Sequence, residues 1–152
     1  MKKYLDDAKE ELKRADHLLY VSLKYTRTAD VIMSVIKRLV TAYDAIMDAL
    51  LEYALKKKKI KTLPTAPAMK ANILKEVFKD NEKIVDNMDF YLLLRKVIKA
   101  RKITKREEYR RHVTMTAHIT STHKIEINTD LLKEHYFKTK DFLEYLQEEI
   151  IK

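Results

Sequence analysis

Neither cysteine nor glycine occurs in this 152-residue chain. Without cysteine there is no disulfide framework, no thiolate nucleophile and no cysteine metal site. Glycine-rich phosphate loops and dinucleotide-binding fingerprints need glycine for tight turns and for close approach of the backbone to phosphate. Nucleotide sites of both these kinds are therefore excluded, whereas a phosphate site built without glycine is not.

Long apolar runs are also absent. No stretch of about eighteen uncharged apolar residues exists, so we expect no transmembrane helix. The chain begins MKKYLDDAKEEL, whose charges are typical of an amphipathic helix rather than of a signal peptide. The sequence thus predicts a cytoplasmic protein that does not associate with membranes.

Proline occurs only twice, and both prolines lie in the segment from Leu63 to Pro67. This segment is the clearest break in the chain, but neither side of it shows the pattern of a separate core. A chain of 152 residues with 46% apolar residues suits one hydrophobic core. We therefore predict a single domain covering residues 1–152.

The strongest helical signal is the segment from Asp30 to Lys56. Its apolar residues recur at steps of three and four, which keeps one face of an α-helix apolar, and a second apolar row widens that face. A face this wide needs cover on several sides, so we predict that this helix is the centre of a bundle. Thr28 or Asp30 is the expected N-cap.

Further segments carry helical signals on both sides of the central helix. They predict helices from Lys2 to Tyr25, from Ala68 to Lys79, from Asp86 or Asp89 to about Lys102, and from Asp130 to Ile151. The first of these precedes the central helix by a short turn and should pack against it as an antiparallel hairpin. Asn128 or Thr129 should cap the last one.

The spacing of Thr104 and Glu107 matches a capping box and predicts one more helix, which begins at Lys105.

The segment from His112 to Ile127 gives conflicting signals. Its β-branched residues favour a strand, whereas the capping box and the helical spacing of Tyr109, Val113 and Thr116 favour a helix to about Thr120. We predict the helix, with a short hairpin as the alternative. The predicted fold class is therefore all-α, an up-and-down helical bundle of four main helices with one or two short helices.

Positive charge is concentrated in one stretch of the chain. The net charge is +9, and the residues from Arg95 to Arg111 include nine Lys or Arg against Glu107 and Glu108. Phosphate contacts need several cations on one surface, and Tyr91 and Tyr109 can stack on unpaired bases. A solvated helix face with buried tyrosines is the alternative. The candidate RNA-binding residues are Arg95, Lys99, Arg101, Lys102, Lys105, Tyr109 and Arg110.

Three of the five histidines follow this stretch: His112, His118 and His123. We do not expect a metal site, because His112 and His118 would lie on different faces of a helix with no carboxylate between them. Histidine also titrates near neutral pH, which suits proton transfer. On a helix, Arg111 and His118 would share one face, where Arg can stabilise phosphate charge while His moves a proton. The alternative is that both are ordinary surface residues.

Three parts of the helical pattern are similar to one known family. The segment from Ala15 to Leu19 is rich in alanine and leucine, as is the first helix of that family. The residues from Arg38 to Ala45 and from Ala49 to Leu51 match a second helix with an Arg, an aromatic residue and small residues before a Leu pair, and those from Lys140 to Leu143 match the C-terminal helix. The chain thus resembles the HEPN superfamily of small prokaryotic helical-bundle proteins. The resemblance implies a homodimer that acts on RNA, and no cofactor is expected.

Catalytic members of this family cleave RNA without metal, using an Arg, four to six residues, and then a His. Arg106 and His112 fit this spacing, as do Arg111 and His118, although neither pair has the commoner Arg-Asn start. The resemblance implies an RNA-binding protein and metal-independent ribonuclease in which these four residues are catalytic, with Arg111 and His118 the preferred pair. The alternative is a non-catalytic interaction module, such as the partner of a nucleotidyltransferase.

Overall fold

The computed structural model describes all residues from 1 to 152 and is mostly helical, with one small sheet. Five helices exceed two turns, and two of them continue into π-helical segments. In chain order the elements are α1 (Lys2–His17), a π-helical segment (Leu18–Ser22), α2 (Leu23–Tyr25, a single turn), α3 (Ala29–Lys56), α4 (Pro67–Val77), α5 (Glu82–Ile98), β1 (Lys102–Arg106), β2 (Thr114–His118), β3 (Lys124–Asn128), α6 (Thr129–Tyr145) and a second π-helical segment (Leu146–Ile150).

Helix α3 is the centre of the fold, as its apolar pattern predicts. Half of its 28 residues are buried, and α1, α4, α5, α6 and β2 all pack against it. The Thr28 hydroxyl accepts a hydrogen bond from the Val31 backbone N–H, which confirms Thr28 as the N-cap. The Met1 amino group lies 3.1 Å from Glu52 near the other end of α3, so α1 and α3 form the expected antiparallel hairpin.

The all-α prediction is wrong, because the chain contains a three-stranded antiparallel sheet in the order β1-β2-β3. The helix predicted from Lys105 to about Thr120 is replaced by a β1–β2 loop and the central strand β2. Alternation explains the strand: Met115 and Ala117 are fully buried on one face, while Thr114 and Thr116 lie on the other. All four of these residues are buried, so β-branched and apolar residues that suit a strand covered on both faces outweighed the helical spacing.

The capping-box signal at Thr104 had misled the helix prediction. Thr104 pairs with Thr116 inside the sheet, so it begins no helix. The neighbouring acidic residue Glu108 instead caps a different helix, because its Oε2 accepts a hydrogen bond of 2.9 Å from the Ala29 backbone N–H at the start of α3. The capping-box spacing of Thr104 and Glu107 is therefore present although no helix begins there.

Most other helix boundaries follow the sequence. Helix α1, the π-helical segment and α2 are continuous over the predicted Lys2 to Tyr25, and the Asn128 side chain caps α6 by accepting a hydrogen bond from Leu131 N–H. Helix α5 differs: it is capped by Asn81 rather than by Asp86 or Asp89, and it ends at Ile98 because β1 follows it closely.

The apolar stripe of α3 is covered within a single chain. Ile36, Leu39, Tyr43, Ile46 and Leu50 all have no measurable exposure. The wide apolar face is thus covered by the protein's own elements and gives no support to a homodimer, which stays a prediction that rests on the family resemblance. No helix in the structure is both long enough and apolar enough to cross a lipid bilayer.

Candidate anion-binding pocket

A cavity of about 360 Å³ lies where three parts of the chain meet. The π-helical segment and α2 form one wall, the β1–β2 loop forms a second, and the first turns of α6 form the third. Its volume is at the lower end of the range of small-molecule sites, about 300–1,000 Å³. We call this cavity the cationic pocket, after the side chains that line it.

Four cations line the cationic pocket: Lys24, Arg27, Arg111 and Lys133. Asp130 is the single carboxylate among its lining residues. None of the four cations forms an ion pair, and none donates a side-chain hydrogen bond to the protein. Unpaired like charges that converge on a concave site repel one another, so an anion in the pocket would lower the energy of all four.

The β1–β2 loop, residues 107–113, brings Arg111 and His112 to the pocket. The loop is held to the start of α3 by the Glu108 carboxylate on Ala29 N–H and by a hydrogen bond of 2.6 Å from Tyr109 N–H to the Arg27 carbonyl. Lys105 adds an ion pair of 3.2 Å to Glu108. The Ala29 N–H is the main reason that the pKa of Glu108 lies below its ordinary value.

Backbone strain is concentrated in the same loop. Glu107 and Tyr109 have φ values of 54° and 66°, in the left-handed region that glycine adopts without penalty. For a residue with a Cβ atom this conformation costs about 1–2 kcal/mol. Because the chain has no glycine, non-glycine residues adopt this conformation on both sides of Glu108. Such strain is often found in functional loops.

Helix α6 contributes its N-terminal end to the pocket, through Asn128, Thr129 and Asp130. The first backbone N–H groups of a helix have no partner inside the helix, and the helix dipole places partial positive charge there. The Asn128 side chain satisfies the N–H of Leu131. The helix end therefore adds to the positive potential that the four cations create.

The π-helical segment supplies the aromatic part of the pocket. Tyr20 is 41% exposed, and its ring meets Tyr136 edge-on at 6.5 Å between centroids. The Lys133 ammonium lies 5.6 Å from the Tyr20 ring centroid. π-Helical turns are rare and are frequent at functional sites, because they redirect side chains out of the regular helical positions.

The predicted catalytic residues are divided between two places. Arg111 and His112 line the cationic pocket. His118 lies at the far end of β2, with its Nε2 atom 2.9 Å from Thr104 Oγ1, and Arg106 is ion-paired with Glu126 at 3.6 Å across the sheet. The predicted shared helical face of Arg111 and His118 is wrong, because an extended strand separates them by roughly 20 Å.

Most of the predicted RNA-binding residues are exposed. Lys102 and Lys105 lie in β1, Arg101 directly precedes it, Tyr109 and Arg110 lie in the β1–β2 loop, and Lys99 is the C-cap of α5. Arg95 is half-buried, where its guanidinium lies 5.9 Å from the ring centroid of Tyr91. Tyr91 itself is fully buried and donates a hydrogen bond of 2.6 Å to Asp44, so its predicted stacking on a base is wrong.

The sequence analysis missed three of the four pocket cations. Lys24 and Arg27 lie at and just after the end of the first helical region, where the helix dipole alone explains basic residues, and Lys133 lies in an amphipathic helix. Lys24 and Arg111 are far apart along the chain, so no local spacing links them. The only signal was that each is a cation close to the end of an element.

Comparisons of the chain with protein-family models, with curated proteins and with solved structures found no match. The resemblance to the HEPN superfamily therefore stays a prediction. Across residues 1–152, no group of three or more His, Asp or Glu side chains is placed to hold a metal ion.

Proposed function

We propose that the protein binds single-stranded RNA through its phosphates. The contacts would be made by the cationic pocket and by the basic surface, which we define as Arg101, Lys102, Lys105 and Arg110. The observation that supports this most is the convergence of four unpaired cations in one cavity. Lys102 and Lys105 lie on opposite faces of the edge strand β1, and the basic surface reaches the pocket through the adjacent residues Arg110 and Arg111.

The cations of β1 alone would not support this proposal. Strand β1 is an edge strand, and lysines on an edge prevent it from pairing with another chain, which accounts for Lys102 and Lys105 without any ligand. Lys105 is also neutralised by Glu108. The pocket cations lie outside the sheet and have no such structural role, so they carry the argument.

Exposed aromatic rings favour an unpaired strand over a duplex. Tyr109 is 74% exposed beside Arg110, and Tyr20 is 41% exposed in the pocket. Proteins that bind single strands combine a cationic groove with aromatic rings on which bases stack, whereas the stacked bases of a duplex offer no free face. Single-stranded RNA is the ligand that this combination and the family resemblance favour together.

Binding of a labelled single-stranded RNA across a salt series tests the proposal. For a single strand, the logarithm of the binding constant falls with the logarithm of the salt concentration, with a slope of about −0.7 for each phosphate contacted. The double variant Arg110→Ala/Arg111→Ala should reduce the slope by about 1.4 and weaken binding about tenfold at low salt.

A charge-matched control separates these contacts from net charge. Lys56→Ala/Lys61→Ala removes two exposed, unpaired cations at the end of α3 and should leave the slope unchanged. If both double variants changed the slope equally, or if the parent protein bound no RNA at low salt, the proposed function would be wrong. A duplex or a DNA strand that bound more tightly than RNA would also contradict it.

Metal-independent RNA cleavage is a second candidate function, because Arg111 and His112 both line the pocket. In this reaction the 2′-hydroxyl attacks the adjacent phosphate, a 2′,3′-cyclic phosphate forms and the 5′-oxygen leaves. His112 would transfer a proton and Arg111 would stabilise the phosphate charge. Cleavage in the presence of EDTA should be lost in His112→Ala and kept in His123→Ala; loss in His118→Ala alone would contradict this assignment.

A further inference from the structure

The cationic pocket differs in form from the open basic surface beside it. It is concave, it receives side chains from three separate parts of the chain, and its volume of about 360 Å³ suits a small group rather than a continuous strand. The basic surface lies along an open edge strand, whereas the pocket is lined by three separate parts of the chain.

We propose that the cationic pocket binds a phosphate monoester of a nucleotide, with its phosphate among Arg27, Arg111 and Lys133 and its base against Tyr20. The inference rests on the proposed RNA binding for the source of this ligand, which would be the phosphorylated end of an RNA strand lying along β1. A free mononucleotide presents the same chemistry and is the second source to be tested.

Charge favours a monoester over an internal phosphate. A phosphodiester inside a strand carries one negative charge, whereas a phosphate monoester carries about −1.5 to −2 at pH 7. The pocket presents four unpaired cations against the single carboxylate of Asp130, and the α6 N-terminal end adds partial positive charge. The cation excess therefore matches a dianion better than a monoanion. Arginine adds paired N–H donors that suit phosphate oxygens.

Tyr20 favours a nucleotide over a bare phosphate ion. The π-helical segment places the ring in the wall of the pocket, Tyr136 supports its edge and Lys133 lies 5.6 Å from its centroid. A base stacked on an exposed aromatic ring contributes about 1–3 kcal/mol by alanine substitution elsewhere. Lys133 thus lies close to both the aromatic ring and the phosphate-binding cations.

Asp130 fits the same ligand. Its carboxylate is stabilised by its place in the first turn of α6, near the positive end of the helix dipole. It would repel a phosphate placed directly beside it, but it can accept a hydrogen bond from a ribose hydroxyl. A pocket that held only inorganic phosphate would gain nothing from this acceptor or from Tyr20.

The test compares three versions of one labelled single-stranded RNA: with a 5′-phosphate, with a 3′-phosphate, and with hydroxyl groups at both ends. Adenosine 5′-monophosphate, adenosine 3′-monophosphate and inorganic phosphate serve as competitors. We expect one monoester end to bind at least tenfold more tightly than the hydroxyl-ended RNA. The matching mononucleotide should compete at lower concentration than inorganic phosphate.

Variants assign the effect to the pocket. The end preference should be lost in Lys133→Gln and in Arg27→Gln, and it should remain in Lys140→Gln, which changes an exposed lysine two turns further along α6. Tyr20→Ala should weaken the mononucleotide about tenfold without changing competition by inorganic phosphate. Thermal unfolding of each variant confirms that it is folded, and either Lys133→Gln or Arg27→Gln is sufficient for the test.

The outcomes separate this inference from the proposed function. Equal affinity for all three RNA ends, with RNA binding retained, would overturn the monoester site and leave the proposed function standing. Competition by a mononucleotide that Lys133→Gln abolishes, with no RNA binding, would support the site and overturn the RNA function. Equal competition by inorganic phosphate and mononucleotides would overturn the role given to Tyr20 and with it the nucleotide assignment.

Discussion

His135 is partly buried against an aromatic ring. It lies in α6 with its ring 4.9 Å from that of Phe90, and burial, together with the nearby Lys138 charge, lowers the pKa of His135 to about 4 from an ordinary value of 6.5. The neutral imidazole is therefore the form that the folded protein favours. His135 is excluded by this environment from proton transfer with a bound ligand, in contrast to His112 at the pocket.

The pH dependence of stability should reveal His135. Because its pKa is lowered in the folded protein, the stabilisation is complete above pH 6.5 and is lost as the pH falls towards about 4, where the unfolded chain has taken up the proton. The loss should be on the order of 2 kcal/mol after allowance for partial exposure. Urea unfolding of the parent and of His135→Leu between pH 7 and pH 4 measures the difference.

The matched control for this prediction is His17→Leu, which changes a histidine that is exposed on α1. It should keep the pH dependence of the parent protein, whereas His135→Leu should flatten the pH dependence across this window. A parent and a His135→Leu variant with parallel profiles would show that other groups cause the acid sensitivity.

At the scale of the elements, the β1–β2 loop connects the sheet to the helices. The Glu108 carboxylate acts as a second capping group for α3, beside Thr28, although it lies 79 positions along the chain from Ala29. The loop also carries two of the pocket residues, Arg111 and His112. The geometry of the pocket therefore depends on the same hydrogen bond that satisfies the Ala29 backbone N–H in the first turn of α3.

Removal of that contact should loosen the loop and weaken α3 together. Glu108→Ala leaves the Ala29 N–H without its partner, so the free energy of unfolding should fall by about 1 kcal/mol, as for loss of a helix cap. Hydrogen exchange should accelerate at the amides of Ala29 and Tyr109. The neighbouring variant Glu107→Ala, which removes an exposed side chain with no partner, should change neither quantity by a comparable amount.

At the scale of the whole molecule, the helices and the sheet share one core. Thirty-seven buried apolar residues form a single cluster, and it includes Met115 and Ala117 of β2 and Ile127 of β3 beside the residues of α3. The single domain predicted from the length of the chain stays a prediction. A sheet without an apolar core of its own should unfold together with the helices.

Truncation of a sheet residue should therefore destabilise the helices as well. Met115 is fully buried, so Met115→Ala should lower the free energy of unfolding by about 3 kcal/mol and shift the helical circular dichroism transition to lower denaturant. The control Met69→Ala changes a methionine that is 54% exposed on α4, and it should shift the helical transition little. A helical transition that did not move in Met115→Ala would show that the sheet unfolds separately.

The elements differ in how well the sequence predicts them. Helices α1, α3 and α6 were predictable because their apolar residues repeat every three to four positions over long segments, and that repeat depends on no distant contact. The sheet was not, because its strands are only five residues long and the Thr104 capping signal outweighed the β-branched residues. The same error placed Arg111 and His118 on one face.

The sequence by itself determined the central helix and the concentration of positive charge that includes Arg111. It also narrowed the caps to two residues each, Thr28 or Asp30 for the central helix and Asn128 or Thr129 for α6. These features follow from local periodicity, side-chain chemistry and composition. Tertiary structure alone decided that Arg111 meets Lys24, Arg27 and Lys133, and that His118 lies elsewhere. The physical reason is that Glu108 and Tyr109 attach the β1–β2 loop to the start of α3, a contact between distant residues that no local pattern encodes.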